Sequence, residues 1–251
     1  MRWLRMSVRF PLVVIYMFSG YVMIILLHLL AGKRWYQHRW GRLVISNWMS
    51  GFAWLIGLRV HVHGKPEKGL LAANHISWLD IIAIDSVVAS RFVSKDDVLH
   101  WPLVGLLPKW SGTFFLKRGS ASAVSKLNAE IVAGLQCADT VVVFPEGTTH
   151  DGKEIHKFFS ALLQPGIDAA TTVQAVAIRY FRKGEPDNLA PFIGEDNILT
   201  HLFRVLGVAH TDAYLYFCPP AEAAGMSRKQ LSDVLRDQLI EVFANKFAPT
   251  K

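Results

Sequence analysis

Residues 140–148 read Thr-Val-Val-Val-Phe-Pro-Glu-Gly-Thr. A nearly unbroken apolar run stops abruptly at Pro145 and an acidic glycine turn. A run without polar alternation predicts a strand covered on both faces, as in the interior of an α/β sheet. Loops that follow the carboxyl ends of such strands are where these sheets place ligands. Pro145 holds the backbone there, Gly147 lets it approach a ligand closely, and Glu146 and Thr148 supply polar groups.

Working outward, Leu70 to Ala73 is a short apolar strand that ends at Asn74-His75. Val60 and Val62 alternate with Arg59, His61 and His63, as on a half-buried strand, with the two histidines on its wet face. Trp78 to Val88 reads as helix and Arg91 to Ser94 as strand. Gly112 to Leu116 is strand-like. Ser120 to Gln136 is an amphipathic helix, with Val124, Leu127, Ile131, Val132 and Leu135 at helical spacing. Phe158 to Ala170 is helical with an interruption near Pro165-Gly166. Val173 to Tyr180 and Ala213 to Cys218 are further strands. Ser227 and Gln230 form a capping-box pattern ahead of a last helix. Arg182 to Asn197, rich in Gly, Pro and acids, reads as loop. Strands alternating with helices predict a mixed, mostly buried sheet flanked by helices.

His75 and Asp80 are spaced as a base and the group that orients it. A helix beginning near residue 77 turns the chain back, so the carboxylate reaches one imidazole nitrogen while the other faces the cleft. Such a contact selects the tautomer and stabilises the imidazolium formed when the histidine takes a proton. Further along, Gly112-Thr-Phe-Phe-Leu-Lys-Arg118 places Lys117 and Arg118 at the end of a strand. A guanidinium offers phosphate two parallel donors, which suits a phosphorylated headgroup.

Other chemistries fit poorly. Gly147 to Lys153 reads Gly-x4-Gly-Lys, nearly a phosphate loop, but Glu154 stands where magnesium ligation needs Ser or Thr. No Gly-x-Ser-x-Gly nucleophile elbow exists. Cys137 and Cys218 lack zinc-ligand spacing and read as small buried thiols. No metal site is expected.

The chain has 251 residues, enough for one large α/β domain, and carries a net charge of +7. With 51% hydrophobic and only 19% charged residues it is more apolar than an average soluble protein. A basic balance suits nucleic acid or an anionic membrane. No nucleic-acid-binding signature accompanies it, so the membrane is the expected partner. Phe10 to Ala31 holds no charged side chain. As a helix it measures about 33 Å, enough to cross a bilayer core. Arg2, Arg5 and Arg9 precede it and Lys33, Arg34, Arg39 and Arg42 follow, so flanking charge assigns no orientation. A second apolar stretch, Leu43 to Leu58, predicts a helical hairpin. Residues 1–58 are thus expected to be a membrane anchor and 59–251 a catalytic domain, with Trp3, Trp35, Tyr36, Trp40 and Trp48 near the lipid headgroups.

In order, His75-x4-Asp80, Gly112-x-x-Phe115-x-x-Arg118 and Phe144-Pro-Glu-Gly-Thr148 resemble the glycerolipid acyltransferase family, whose bacterial members include 1-acylglycerol-3-phosphate acyltransferase. The resemblance runs from about residue 70 to 180. A Val-Pro-Val strand usual in the family is replaced here by Gln174-Ala-Val-Ala-Ile178, which keeps the strand and loses its proline. Thr149-His150-Asp151-Gly152 and Ser160 to Pro165 also look like relatives that acylate lyso-ornithine lipid.

The resemblance implies direct transfer of a fatty acyl group from an acyl carrier protein or coenzyme A thioester to a lysolipid hydroxyl. The product expected first is phosphatidic acid, and a lyso-ornithine acceptor is the alternative. In this reading His75 and Asp80 are catalytic, and Gly112, Phe115, Lys117, Arg118, Glu146, Gly147 and Thr148 bind substrate. No cofactor is expected beyond the thioester. The enzyme is expected at the bacterial inner membrane with its catalytic domain facing the cytoplasm. A non-catalytic lipid-binding protein on this fold would be expected to lack His75 or Asp80, and this chain carries both.

Overall fold

The computed structural model describes residues 1–32, 34–100, 105–116 and 121–247. Its regular elements run α1 (Arg2–Ala31), α2 (Arg39–Ile56), β1 (Leu58–His63), β2 (Leu70–Ala73), α3 (Leu79–Asp85), β3 (Arg91–Lys95), α4 (Leu106–Trp110), β4 (Phe114–Leu116), α5 (Ala121–Gln136), β5 (Val141–Val143), α6 (Gln164–Asp168), β6 (Thr172–Arg182), β7 (Glu185–Pro186), α7 (Ile198–Gly207), β8 (Thr211–Phe217), β9 (Ala221–Glu222) and α8 (Arg228–Lys246). Among the described residues, the strands form one sheet in the order β1-β8-β6-β2-β5-β3-β4, with β7 and β9 also pairing with β6. Its centre is parallel: β2 lies between β5 and β6, and β3 pairs with β5. Strand β8 runs antiparallel to β6 and parallel to β1, so the sheet is mixed, as expected.

The wholly apolar strands are central. Leu70 to Ala73 and Val141 to Val143 are fully buried, because helices cover both faces. On one face, Val176 and Ile178 of β6 share a core with residues of α1, α2, α3 and α7. On the other, Val173, Ala175 and Ala177 pack with Leu127, Ile131 and Leu135 of α5 and with Leu231, Leu235 and Leu239 of α8. The alternation of β6 side chains sends successive residues to the two cores. Val124, expected on the buried stripe of α5, is exposed.

Helices α1 and α2 pack closely on each other and join the first core. Tyr16 stacks on Trp48 with ring centroids 5.1 Å apart, and its hydroxyl donates to the Trp48 carbonyl at 2.8 Å. Gly20 makes this seat possible, since a Cβ there would lie 2.6 Å from the Trp48 ring. Three of the flanking arginines, Arg5, Arg9 and Arg42, bind groups of the protein itself. The guanidinium of Arg9 donates to the carbonyls of Val208 at 2.7 Å and Ala209 at 2.8 Å, and Arg5 donates to Gly207 at 3.2 Å. Gly207 ends α7 and Val208 and Ala209 follow it, so the two guanidiniums sit at the negative end of that helix. Arg42 is buried and, with Arg91, pairs with Asp139.

Cys137, expected buried, is exposed, and Trp35, expected among the lipid headgroups, is fully buried in the first core. Two stretches of chain also differ from expectation. In place of one interrupted helix over 158–170, a 3-10 turn (Ser160–Leu163) leads into α6, with Pro165 in the first turn. Proline starts this helix because the amide it lacks has no partner at that position. Helix α7, which the sequence reading passed over, is nucleated by Asn197, whose side chain accepts from the Leu199 amide at 2.9 Å.

Candidate active site

His75 sits one residue beyond Asn74, which closes the end of β2. The Asn74 side chain accepts from the Ile178 amide at 2.7 Å and donates to the Ile178 carbonyl at 3.0 Å. It thereby replaces the ladder bonds lost where β2 turns away from β6. The chain then reverses into α3, and Asp80 in its first turn points back at the histidine. One carboxylate oxygen, Oδ2, receives Nδ1 of His75 at 2.7 Å, the Ile76 amide at 2.7 Å and the Ser77 amide at 3.0 Å. The other, Oδ1, accepts the Tyr180 hydroxyl at 2.6 Å. Asp80 is fully buried, and these four donors replace the water it has lost. Burial, and then the neighbouring carboxylate, push the Tyr180 phenol well above its ordinary range, so that it stays a donor.

The His75 ring lies on Phe144, centroid to centroid 3.9 Å. With Nδ1 committed to Asp80 and one ring face covered, Nε2 is the nitrogen left for a substrate. His75 lines a cavity of about 370 Å³. Val13, Met17 and Ile24 of α1 contribute to its wall, as do Trp48 and Phe52 of α2 and Ile82 of α3. An imidazole held at the wall of an apolar chamber can take a proton from a hydroxyl while an acyl chain occupies the chamber.

The Pro-Glu-Gly turn meets His75 from below. Gly147 and Thr148 line the same cavity, and Gly147 adopts φ +71°, the left-handed region that glycine enters without strain. Glu146 is buried beside the cavity. One of its oxygens accepts the His75 amide at 2.7 Å and the other the His156 amide at 2.9 Å. Its carboxyl is raised by burial, against the pull of these two amides. Through these two bonds it grips the backbone that carries the base. The amide of His150 in turn donates to the His75 carbonyl at 2.9 Å. His150 and His156 stack 3.6 Å apart, and burial together with His156 lowers the imidazole of His150.

Gly112 lies at φ +87° against Tyr36, whose ring a Cβ would approach to 2.4 Å. Ser111, Thr113 and Leu116 line the cavity, whereas their chain neighbours Gly112 and Phe115 do not. Lys117 and Arg118 lie outside the described residues. Gln174 of β6 is buried. Its amide donates to the carbonyls of Lys65 and Cys218 and accepts from the Glu67 amide at 2.9 Å, tying β6 to the turn after β1. Tyr180 is the functional residue that sequence reading missed. Its only local signal is an aromatic with a polar tip near the end of a largely buried strand.

A family profile described as Acyltransferase matches residues 59–179. The lyso-ornithine lipid O-acyltransferase of Pseudomonas aeruginosa is 33% identical over 206 residues, covering 81% of this chain and 80% of that protein. The 1-acyl-sn-glycerol-3-phosphate acyltransferase of Neisseria gonorrhoeae is 33% identical over 181 residues, covering 72% and 71%. The crystal structure of the 1-acyl-sn-glycerophosphate acyltransferase PlsC from Thermotoga maritima superposes with a TM-score of 0.58 at 20% identity, over 98% of this chain and 99% of that one. At that identity the superposition speaks for the fold.

Proposed function

Because this chain belongs to the acyltransferase family, we propose that it transfers a fatty acyl group from an acyl thioester to the free hydroxyl of a lysolipid. Nε2 of His75 takes the hydroxyl proton, and the oxygen attacks the thioester carbonyl. The tetrahedral intermediate collapses with rupture of the carbon–sulfur bond, and the departing thiolate recovers the proton from the imidazolium. Asp80, held by Tyr180 and two backbone amides, keeps Nδ1 protonated and stabilises the charged ring. The scheme uses no covalent acyl-enzyme, metal or cofactor, with acyl carrier protein or coenzyme A carrying the donor. One observation carries it: a histidine oriented by a fully buried aspartate at the wall of an apolar cavity.

The acceptor we place first is 1-acylglycerol-3-phosphate, since Lys117 and Arg118 supply cations of the type that binds a phosphomonoester. A lyso-ornithine lipid is the second reading, favoured by the similarity to the Pseudomonas aeruginosa protein along four fifths of both chains.

The membrane holds the enzyme through α1 in this account. That helix is long and apolar enough to cross a bilayer. Leu4, Val8, Leu12, Ile15, Phe18, Val22, Leu26 and Leu29 form an exposed stripe along it at three- to four-residue spacing, while its opposite face lines the cavity. A stripe of this kind seats the active site at the lipid surface, and we place that surface on the cytoplasmic side of the bacterial inner membrane. The test is purified protein in vesicles, given labelled acyl thioester and a panel of lysolipids, with products resolved by mass. A diacyl product from one lysolipid is expected. Thioester hydrolysis without transfer to any acceptor would reject the reading.

A further inference from the structure

The cavity is mostly apolar; besides His75, Thr148 and Thr149 near the base, its polar lining includes Arg91, Ser94 and Lys95, and one buried carboxyl. Asp85, the last residue of α3, lines it and is only 3% exposed. Its Oδ1 accepts the amide of Ser90 at 3.0 Å and the Ser90 hydroxyl at 3.3 Å, and Ser90 lines the cavity too. The hydroxyl of Ser46 on α2 donates to the Asp85 carbonyl, which holds the end of α3 in place. Among the described residues, no hydrogen bond falls on Oδ2 and no cation pairs with the carboxyl. The nearest basic residue along the chain, Arg91, has its guanidinium committed to Asp139 and to the Gly112 carbonyl. Burial raises the Asp85 carboxyl to about 7. A neutral carboxyl offers both an O–H donor and an acceptor. An apolar chain leaves both unused, which is costly in a dry site.

We propose that Asp85 and Ser90 form a polar subsite within the cavity that binds a hydroxyl group carried part-way along an acyl chain. This rests on the transfer reading above and names the class of chain it uses. Asp85 lies five residues beyond Asp80, the partner of the base, and so about 7.5 Å further along the axis of α3. The hydroxyl it reads is therefore several carbons from the reacting carbonyl, on the donor chain or on the chain of the lysolipid.

The test uses the full-length protein in vesicles and acyl thioesters of one length, unsubstituted or with a single hydroxyl walked along the chain. The wild type should show kcat/KM peaking at one hydroxyl position and falling on either side. Asp85→Leu should lower the hydroxylated-to-unsubstituted ratio about tenfold, the worth of one hydrogen bond to substrate. Asp85→Asn, which keeps a donor and an acceptor, should retain most of the preference. A second arm places the hydroxyl on the lysolipid chain, and the arm whose ratio depends on Asp85 identifies the source. A flat positional profile in the wild type, in both arms, would overturn the subsite even if Asp85→Leu failed to fold. A ratio unmoved in Asp85→Leu, with both chains slowed equally, would reduce Asp85 to a loop staple. Absence of turnover with every thioester would contradict the transfer reading and the subsite with it.

Discussion

The phenol of Tyr180 donates to Asp80 at 2.6 Å across a separation of 100 residues, completing the shell of a carboxylate that holds His75. The catalytic pair is thus braced from β6 as well as from the turn into α3. Tyr180→Phe removes one of four donors to a fully buried anion. We expect kcat to fall roughly tenfold with KM little changed, since the lost bond orients the base and does not touch substrate. Steady-state kinetics of the variant checks this, and a wild-type kcat would show that three donors suffice.

Arg9 ties α1 to the end of α7. Arg9→Ala strips three carbonyls of a charged donor, two of them within 2.8 Å. The expected loss is about 2 kcal/mol, or about 4–8 °C in Tm for a chain of this size. Thermal unfolding in detergent measures it. An unshifted Tm would mean that α1 is held by its apolar contacts alone.

Asp85 makes stability depend on pH. Its folded-state value of about 7 lies above the ordinary 3.8, so the folded protein binds the proton more tightly. The resulting stabilisation is fully present below about pH 4. It is lost as the pH rises through 7, and amounts to on the order of 4 kcal/mol. Asp85→Asn should flatten that part of the profile and make the variant the more stable protein at pH 8. Urea unfolding at pH 5 and pH 8 tests the sign, and identical slopes for both proteins would refute it.

Gly147 combines a left-handed backbone with a close neighbour. A Cβ there would lie 2.9 Å from the Phe159 ring, but Phe159 is 62% exposed and can swing aside. The backbone therefore decides, at a cost of about 1–2 kcal/mol. Gly147→Ala should lose that much stability, together with activity, because the turn also aims Glu146 at the His75 amide. Full activity would separate the turn from the site.

What could be read in the sequence was local or periodic. The wholly apolar β2 and β5, the capping box at Ser227 and the three ordered motifs announced themselves within a few residues, and the structure places His75, Gly147 and Thr148 on one cavity. Tyr180, the arginine clamp on α7 and the backbone role of Glu146 depend on partners far away in the chain, which no window of sequence contains. Arg5, Arg9 and Arg42 read as membrane flanks because charge beside an apolar run carries that meaning; their carbonyl and carboxylate partners exist only after folding. The Gly- and Pro-rich approach to the Asn197 cap masks helix α7 in the sequence.

The central claim is that Nε2 of His75 is the base for acyl transfer. It is tested most directly by the turnover of His75→Ala on labelled thioester and lysolipid, with Tm measured on the same sample. The account predicts a rate lower by at least ~10²–10⁴-fold at a near-native Tm. Turnover within a few-fold of wild type by the folded variant would contradict it.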